Sequence, residues 1–168
     1  MTYQREPPVD PRLHWVLLAN AARARLFERD HENNAMRELA TFVHPNSRLK
    51  AAELSDDRAG QGAIGSARAH FEAPTSPKER ERQHFAEQLA QYLEEAALGE
   101  RMAHWALIAS SPFLGRLRAV LGRAAAARLT HHVDRDLTAC MGQDLERRVA
   151  ELLPSQSDTA PSTPTAST

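Results

Sequence analysis

Three groups of residues carry types and spacings that could do chemistry. The first is Ser110-Ser111-Pro112-Phe113-Leu114-Gly115-Arg116, where an apolar run gives way to helical spacing. A helix N-terminus at the carboxyl end of a strand gathers unpaired N–H groups and the positive end of the helix dipole, so it suits an anion. Arg116 and Arg118 add guanidinium forks that match phosphate or carboxylate. No Gly-Lys-Ser or Gly-Lys-Thr phosphate loop accompanies them. A capped helix, with Gly115 allowing close packing on a sheet, is the preferred reading. Ser110, Ser111 and Arg116 are kept beside it as a phosphate or carboxylate site. The second group is His132, Asp134 and Asp136, which at period two would share one face of a strand and are metal-ligand types. An edge strand kept soluble by polar side chains is preferred, and no metal or cofactor is expected. The third group lies in residues 44–75. Arg48, Lys50, Arg58, Arg68 and His70 stand there against Glu53, Asp56, Asp57 and Glu72. Such a segment could contact RNA phosphates. The competing reading is a solvated loop with local ion pairs. In that reading His44-Pro45-Asn46-Ser47-Arg48 is a turn and Arg48 is held by a carboxylate.

The elements that must position these residues follow from hydrophobic periodicity. Leu13 to Ala19 is apolar at every other position on both faces, with Leu13, Trp15 and Leu17 on one side and Val16 and Leu18 on the other. That pattern predicts a central strand covered on both faces. Asn20-Ala21-Ala22 predicts a tight turn, Arg23 to Arg29 a second strand, Asp30 to Asn34 a polar turn and Met36 to Val43 a third strand. Links this short make an antiparallel meander. The loop at 44–75 is unusually long for one domain, and loops of that length are commonly functional or disordered. Ser76 as N-cap, Pro77 as first helical residue and Glu79 as capping-box partner open a first helix. Phe85, Leu89, Tyr92, Leu93 and Ala96 give its buried stripe, and Gly99 is its expected stop. His104 to Ala109 is the fourth strand. A second helix capped by Ser111 buries Phe113, Leu114, Leu117, Val120 and Leu121. Leu129 to Asp134 is the fifth strand. A third helix, capped by Thr138, carries Leu145, Val149, Leu152 and Leu153. His14 and His104, each beside a tryptophan, are expected in the core, and Cys140 is expected to pack.

The order β-β-β-α-β-α-β-α predicts an α/β fold. Its five-stranded mixed sheet has helices on both faces and ribonuclease H-like topology, with the last two strands parallel to the first. Residues 1–12 read as a flexible lead-in, 13–153 as a single domain and 154–168, rich in Ser, Thr, Pro and Ala, as a disordered tail. The 168 residues suffice for one real core, and 42% hydrophobic content is ordinary. A net charge of -1 gives no global pull toward nucleic acid or anionic lipid. Cys140 is the single cysteine, so no internal disulfide forms. No apolar signal region or membrane-length run is present, and a cytoplasmic location with no membrane partner is expected.

Four strings in one order carry a family resemblance: LHWVLLANAARARLFE (Leu13 to Glu28), HPNSRLKAAELSDDR (His44 to Arg58), PFLGRLR (Pro112 to Arg118) and DRDLT (Asp134 to Thr138). The chain resembles the bacterial host attachment protein family, also described as bacterial relatives of archaeo-eukaryotic peptide-release factors, over about Leu13 to Leu153. The resemblance implies a fold like the middle domain of class-1 release factors. In those proteins a Gly-Gly-Gln loop between the third strand and the first helix positions water at the peptidyl-tRNA ester. Ala59-Gly60-Gln61 falls in the corresponding loop here and matches two residues of three. By this resemblance Gln61 would be the catalytic residue of a ribosome-rescue peptidyl-tRNA hydrolase. The competing reading is that Gly60, Gln61, Gly62 and Gly65 simply permit a flexible excursion.

Nuclease chemistry, which ribonuclease H-like sheets host, needs clustered carboxylates on the first and fourth strands. Leu13 to Ala19 and His104 to Ala109 contain none. The leading expectation is therefore a non-enzymatic protein that binds the ribosome or an RNA through Arg48, Lys50, Arg58, Gly60 and Arg68, with Ser110, Ser111 and Arg116 as a further ligand site. The hydrolase is the first alternative. The second is an interaction scaffold, with pairing as a homodimer through an edge strand as one form of it and an indirect part in attachment.

Overall fold

A strand that is apolar on both faces must lie between two layers, and β1 (Leu13–Ala19) does so. The computed structural model describes residues 13–44 and 76–154. In it β1 runs beside β2 (Arg23–Asp30), which pairs antiparallel with it, and β2 beside β3 (Met36–Val43), again antiparallel. On its other side β1 pairs parallel with β4 (Trp105–Ala109), and β4 parallel with β5 (Leu129–Asp134). The five-stranded sheet has the order β3-β2-β1-β4-β5. The meander, the two parallel additions and the central place of β1 match the expectation from periodicity.

Two cores follow from the alternation of β1. Trp15, Leu17 and Ala19 pack with α1 (Pro77–Leu98), α2 (Phe113–Val120) and α3 (Arg123–Arg128). Val16 and Leu18 pack on the opposite face against Leu145 and Val149 of α4 (Gly142–Leu152). Helices therefore cover both faces. Trp105 is fully buried and its indole Nε1 donates to Ala125 O at 2.7 Å, so its polar edge is satisfied while its rings fill the larger core.

α1 spans Pro77–Leu98 and stops at Gly99 as expected, but other details of the helix ends depart from the sequence reading. Ser76 does cap α1, its Oγ accepting from Glu79 N at 3.2 Å. The Glu79 carboxylate, however, bonds Arg82 and Arg116 instead of closing a capping box. Gly99 stays at negative φ, and Glu100 takes the left-handed turn at φ 54. Arg101 N bonds Ala96 O and Glu100 N bonds Ala97 O, which satisfies the final carbonyls. The predicted second helix is two: it breaks at Leu121–Gly122, and α3 follows. The cause lies on α1, where Glu94 reaches over to accept from Ala124 N and Ala125 N and so caps the new helix. The last helix begins at Gly142 with Met141 before it, not at Thr138.

Candidate functional site

In a partly parallel sheet the carboxyl ends of the parallel strands lie together, and such an edge is where ligands bind in open α/β sheets. Here that edge gathers the end of β1 at Ala19, of β4 at Ala109 and of β5 at Asp134. Ser110 N donates to Ala19 O at 3.3 Å and Arg135 N to Ala109 O at 3.2 Å. Because β3 also runs parallel to β1, its end reaches the same edge, where His44 N donates to Ala22 O at 2.9 Å. His44 Nε2 lies 3.1 Å from Glu81 O in the first turns of α1. His44, the described residue before the 45–75 segment, is therefore held at this edge against the start of α1.

Asn20 organises one half of the edge. Its Oδ1 accepts from Ala22 N and Arg23 N, both at 2.9 Å, which shapes the β1–β2 turn. Its Nδ2 donates to Asp136 Oδ2 at 2.9 Å and to Thr138 Oγ1 at 3.0 Å. Asp136 in turn accepts from Thr138 N and from its hydroxyl. Burial pushes the Asp136 carboxyl up, but the hydrogen bonds from Thr138 and Asn20 outweigh it and hold the group below its ordinary value. Arg25 extends from β2 to the carbonyls of Thr138 and Cys140 at 3.3 and 2.7 Å. It also pairs with Glu38 of β3 at 2.8 Å.

The other half holds the predicted ligand residues. Ser110, Ser111 and Arg116 do come together, lining an open pocket of about 110 Å³ with Ala21, Arg82 and Phe113. Ser111 is not a helix cap. Its N–H and hydroxyl both donate to the Asp134 carboxylate, at 2.9 and 2.7 Å, so that it ties β4 to β5. These two bonds hold the Asp134 carboxyl below its ordinary value. The Ser111–Pro112 peptide bond is cis, and Pro112 rather than Ser111 is the residue before α2, with no side-chain cap. Arg116 forms a short ion pair with Glu79 and lies 3.4 Å from Glu79 O. Arg82 reaches the same carboxylate at 3.0 Å. The Arg116 hydrogen bond, more than any other interaction, keeps the Glu79 carboxyl below its ordinary value. Two guanidinium groups thus share one carboxylate at the pocket, and an incoming phosphate would compete with Glu79 for them.

Other expectations fare differently. A Cβ on Gly115 would meet nothing within 4 Å, so this glycine does not serve close packing. His132 and Asp134 lie on β5, whereas Asp136 lies beyond its end and turns to Asn20. Among the described residues, no group of three His, Cys, Asp or Glu side chains could hold a metal ion. β5 is an edge strand with mostly exposed side chains, as its polar sequence predicts. His14 is buried, but His104 is exposed because it precedes β4, outside the packed layers. Cys140 packs partly buried beside the α4 core. Arg48, Lys50, Arg58, Gly60, Gln61 and Arg68 lie outside the described residues. Sequence reasoning missed Asn20, Arg25, Glu79 and Arg82 as edge residues. Its only signals for them were the turn at Asn20 and the capping pattern at Glu79.

The fold and this edge define an α/β domain built on a mixed sheet, with a polar, arginine-lined carboxyl edge. No helix among the described residues is long and apolar enough to cross a membrane. A family described as "Protein required for attachment to host cells" matches residues 15–149, and the chain belongs to that family. No curated protein matches it.

Proposed function

We propose that this protein is a non-enzymatic RNA-binding member of the host attachment family that docks on the ribosome through its carboxyl edge and the 45–75 segment. The observation that carries the reading is convergence. Asn20, His44, Arg116 and the Asp134-to-Thr138 string belong to the four strings that mark the family resemblance. They meet at one edge, where the segment bearing Arg48, Lys50, Arg58, Gly60 and Arg68 joins the fold. Arg82 and Arg116 beside Ser110 and Ser111 offer phosphate-matching groups at the same place. The strand order 3-2-1-4-5 with the second strand antiparallel supports a ribonuclease H-like topology, and with it the likeness to the release-factor middle domain. On this reading the protein works in the cytoplasm, and its part in attachment to host cells is indirect.

Co-sedimentation with purified ribosomes across a salt series tests it. Binding should weaken steeply with salt, as phosphate contacts do, and the double variant Arg58→Glu, Arg68→Glu should lose it. No binding at low salt removes the ribosome from the account. Ribosomes carrying peptidyl-tRNA separate binding from catalysis. Release that Gln61→Ala abolishes would replace the binding reading with a hydrolase.

A further inference from the structure

The opposite, amino edge of the sheet holds a different cluster. His14 faces the α4 side of β1, and its cross-strand neighbour on β2 is Arg29. On the β4 side His104 stacks near it, with ring centroids 6.3 Å apart and planes at 29°. His31, just past β2, packs edge-on at 5.0 Å and 77°. His131 of β5 completes the row and contributes to the field at His14. His14 is 5% exposed and Arg29 1%.

The partners of this row are neutral. Arg29 donates to Asn34 Oδ1 at 2.6 Å and to Leu153 O, just after α4, at 3.5 Å, and its Nε is buried without a partner. The Thr130 hydroxyl donates to Trp105 O at 3.1 Å. That hydroxyl has one proton, so at 3.1 Å from His14 Nε2 it can only accept, and His14 carries its proton on Nε2. The lone pair on His14 Nδ1 is then buried and unpartnered, as is His31 Nδ1. Asp30 is the carboxylate whose field reaches His31, and one of its oxygens already accepts from Glu32 N at 2.7 Å. A metal ion is disfavoured here, because Arg29 stands in the row and repels a cation.

We propose that this row is an acid-sensitive latch: a proton on His14 Nδ1 unseats the row and frees the carboxyl-terminal end of α4, with Leu153, while the carboxyl edge stays assembled. The charge added at Nδ1 sits among Arg29, His31, His104 and His131, and no anion among the described residues offsets it. Arg29 is a polar tie from the sheet to Leu153, whose side chain also packs in the core on this face, so displacing Arg29 removes one of the holds on the end of α4. Burial first, and then the charges of His31, His104, Arg29 and His131, lower the His14 pKa from 6.5 to about 3. The sign follows from linkage. Between those values the opened state takes up a proton that the closed state refuses, so opening becomes easier as pH falls, by about tenfold per pH unit for one proton. Above pH 6.5 the latch is fully closed.

Amide hydrogen exchange of the full chain at pH 7.5 and 5.0, corrected for intrinsic rates, tests the latch. The amides of Val149 to Leu153 should lose about tenfold or more protection at pH 5.0, while those of β1 and β4 keep theirs. His14→Gln retains an amide N–H for Thr130 but cannot take the proton, and it should reduce the pH dependence to the share of His31, whose pKa burial also lowers. The same pH dependence in that variant overturns the latch, and so does simultaneous loss of protection in β1, β4 and α4. Should the variant not fold, an NMR titration of wild-type His14 decides. A midpoint below 5 supports the latch, and one near 6.5 overturns it.

Discussion

Asn20 shows how one side chain can join segments that are far apart in sequence. Its amide accepts two backbone N–H groups of its own turn and donates to Asp136 and Thr138, more than 110 residues on. Replacing it by alanine removes four hydrogen bonds and leaves Asp136 short of a donor. At roughly 0.5–1 kcal/mol for each partly exposed bond, Asn20→Ala should cost about 2–4 kcal/mol. Urea denaturation of both proteins at neutral pH measures it, and a loss below about 0.5 kcal/mol would mean that the joint is ornamental. The turn itself was legible in Asn20-Ala21-Ala22, because turn chemistry is local. The reach to Asp136 was not, because no local pattern tells a side chain which distant loop will come to it. Ser111 shows the same limit. Ser-Pro before a helical run reads as a cap, yet Asp134, 23 residues later, takes both of its donors.

At the scale of elements, the strands and both ends of α1 were read well, and the other helix ends were not. Strand identity follows from alternation over seven or eight residues, and β1 and β3 have the bounds that alternation predicts. Helix ends depend on which groups satisfy the terminal N–H and C=O groups, and here those groups come from other elements. Glu94 is the clearest instance: a residue of α1 caps α3, a helix that the Ala-rich Arg123–Arg128 stretch did not announce. Glu94→Ala should cost about 1–2 kcal/mol, as loss of a charged cap does. Gly122→Ala attacks the same joint from the other side, since its Cβ would collide with the Glu94 carboxylate. The two changes should not add. Once the carboxylate is gone the new methyl has room, so the double variant should lose clearly less than the sum of the singles. Additive losses in thermal denaturation would mean that the collision is relieved elsewhere.

At the scale of the whole molecule, the packed domain and the 45–75 segment can be tested apart. The described residues, 13–44 and 76–154, form two cores on opposite faces of the sheet. The described residues that flank the segment are tied to one another, by His44 N on Ala22 O and His44 Nε2 near Glu81 O of α1. Replacing residues 45–75 with a Gly-Ser linker about one quarter as long should therefore leave the fold standing. Loop-closure entropy even favours the shorter chain, by about 1.2 kcal/mol for a fourfold reduction. Ribosome binding should disappear, because the replaced residues include Arg48, Lys50, Arg58 and Arg68. The two readouts are independent. A variant that melts cooperatively near the wild-type temperature and no longer co-sediments assigns binding to the segment. One that still binds assigns it to the pocket of Arg82 and Arg116, where Glu79→Gln should then strengthen binding by freeing both guanidinium groups. One that fails to fold shows that the cores rely on the segment.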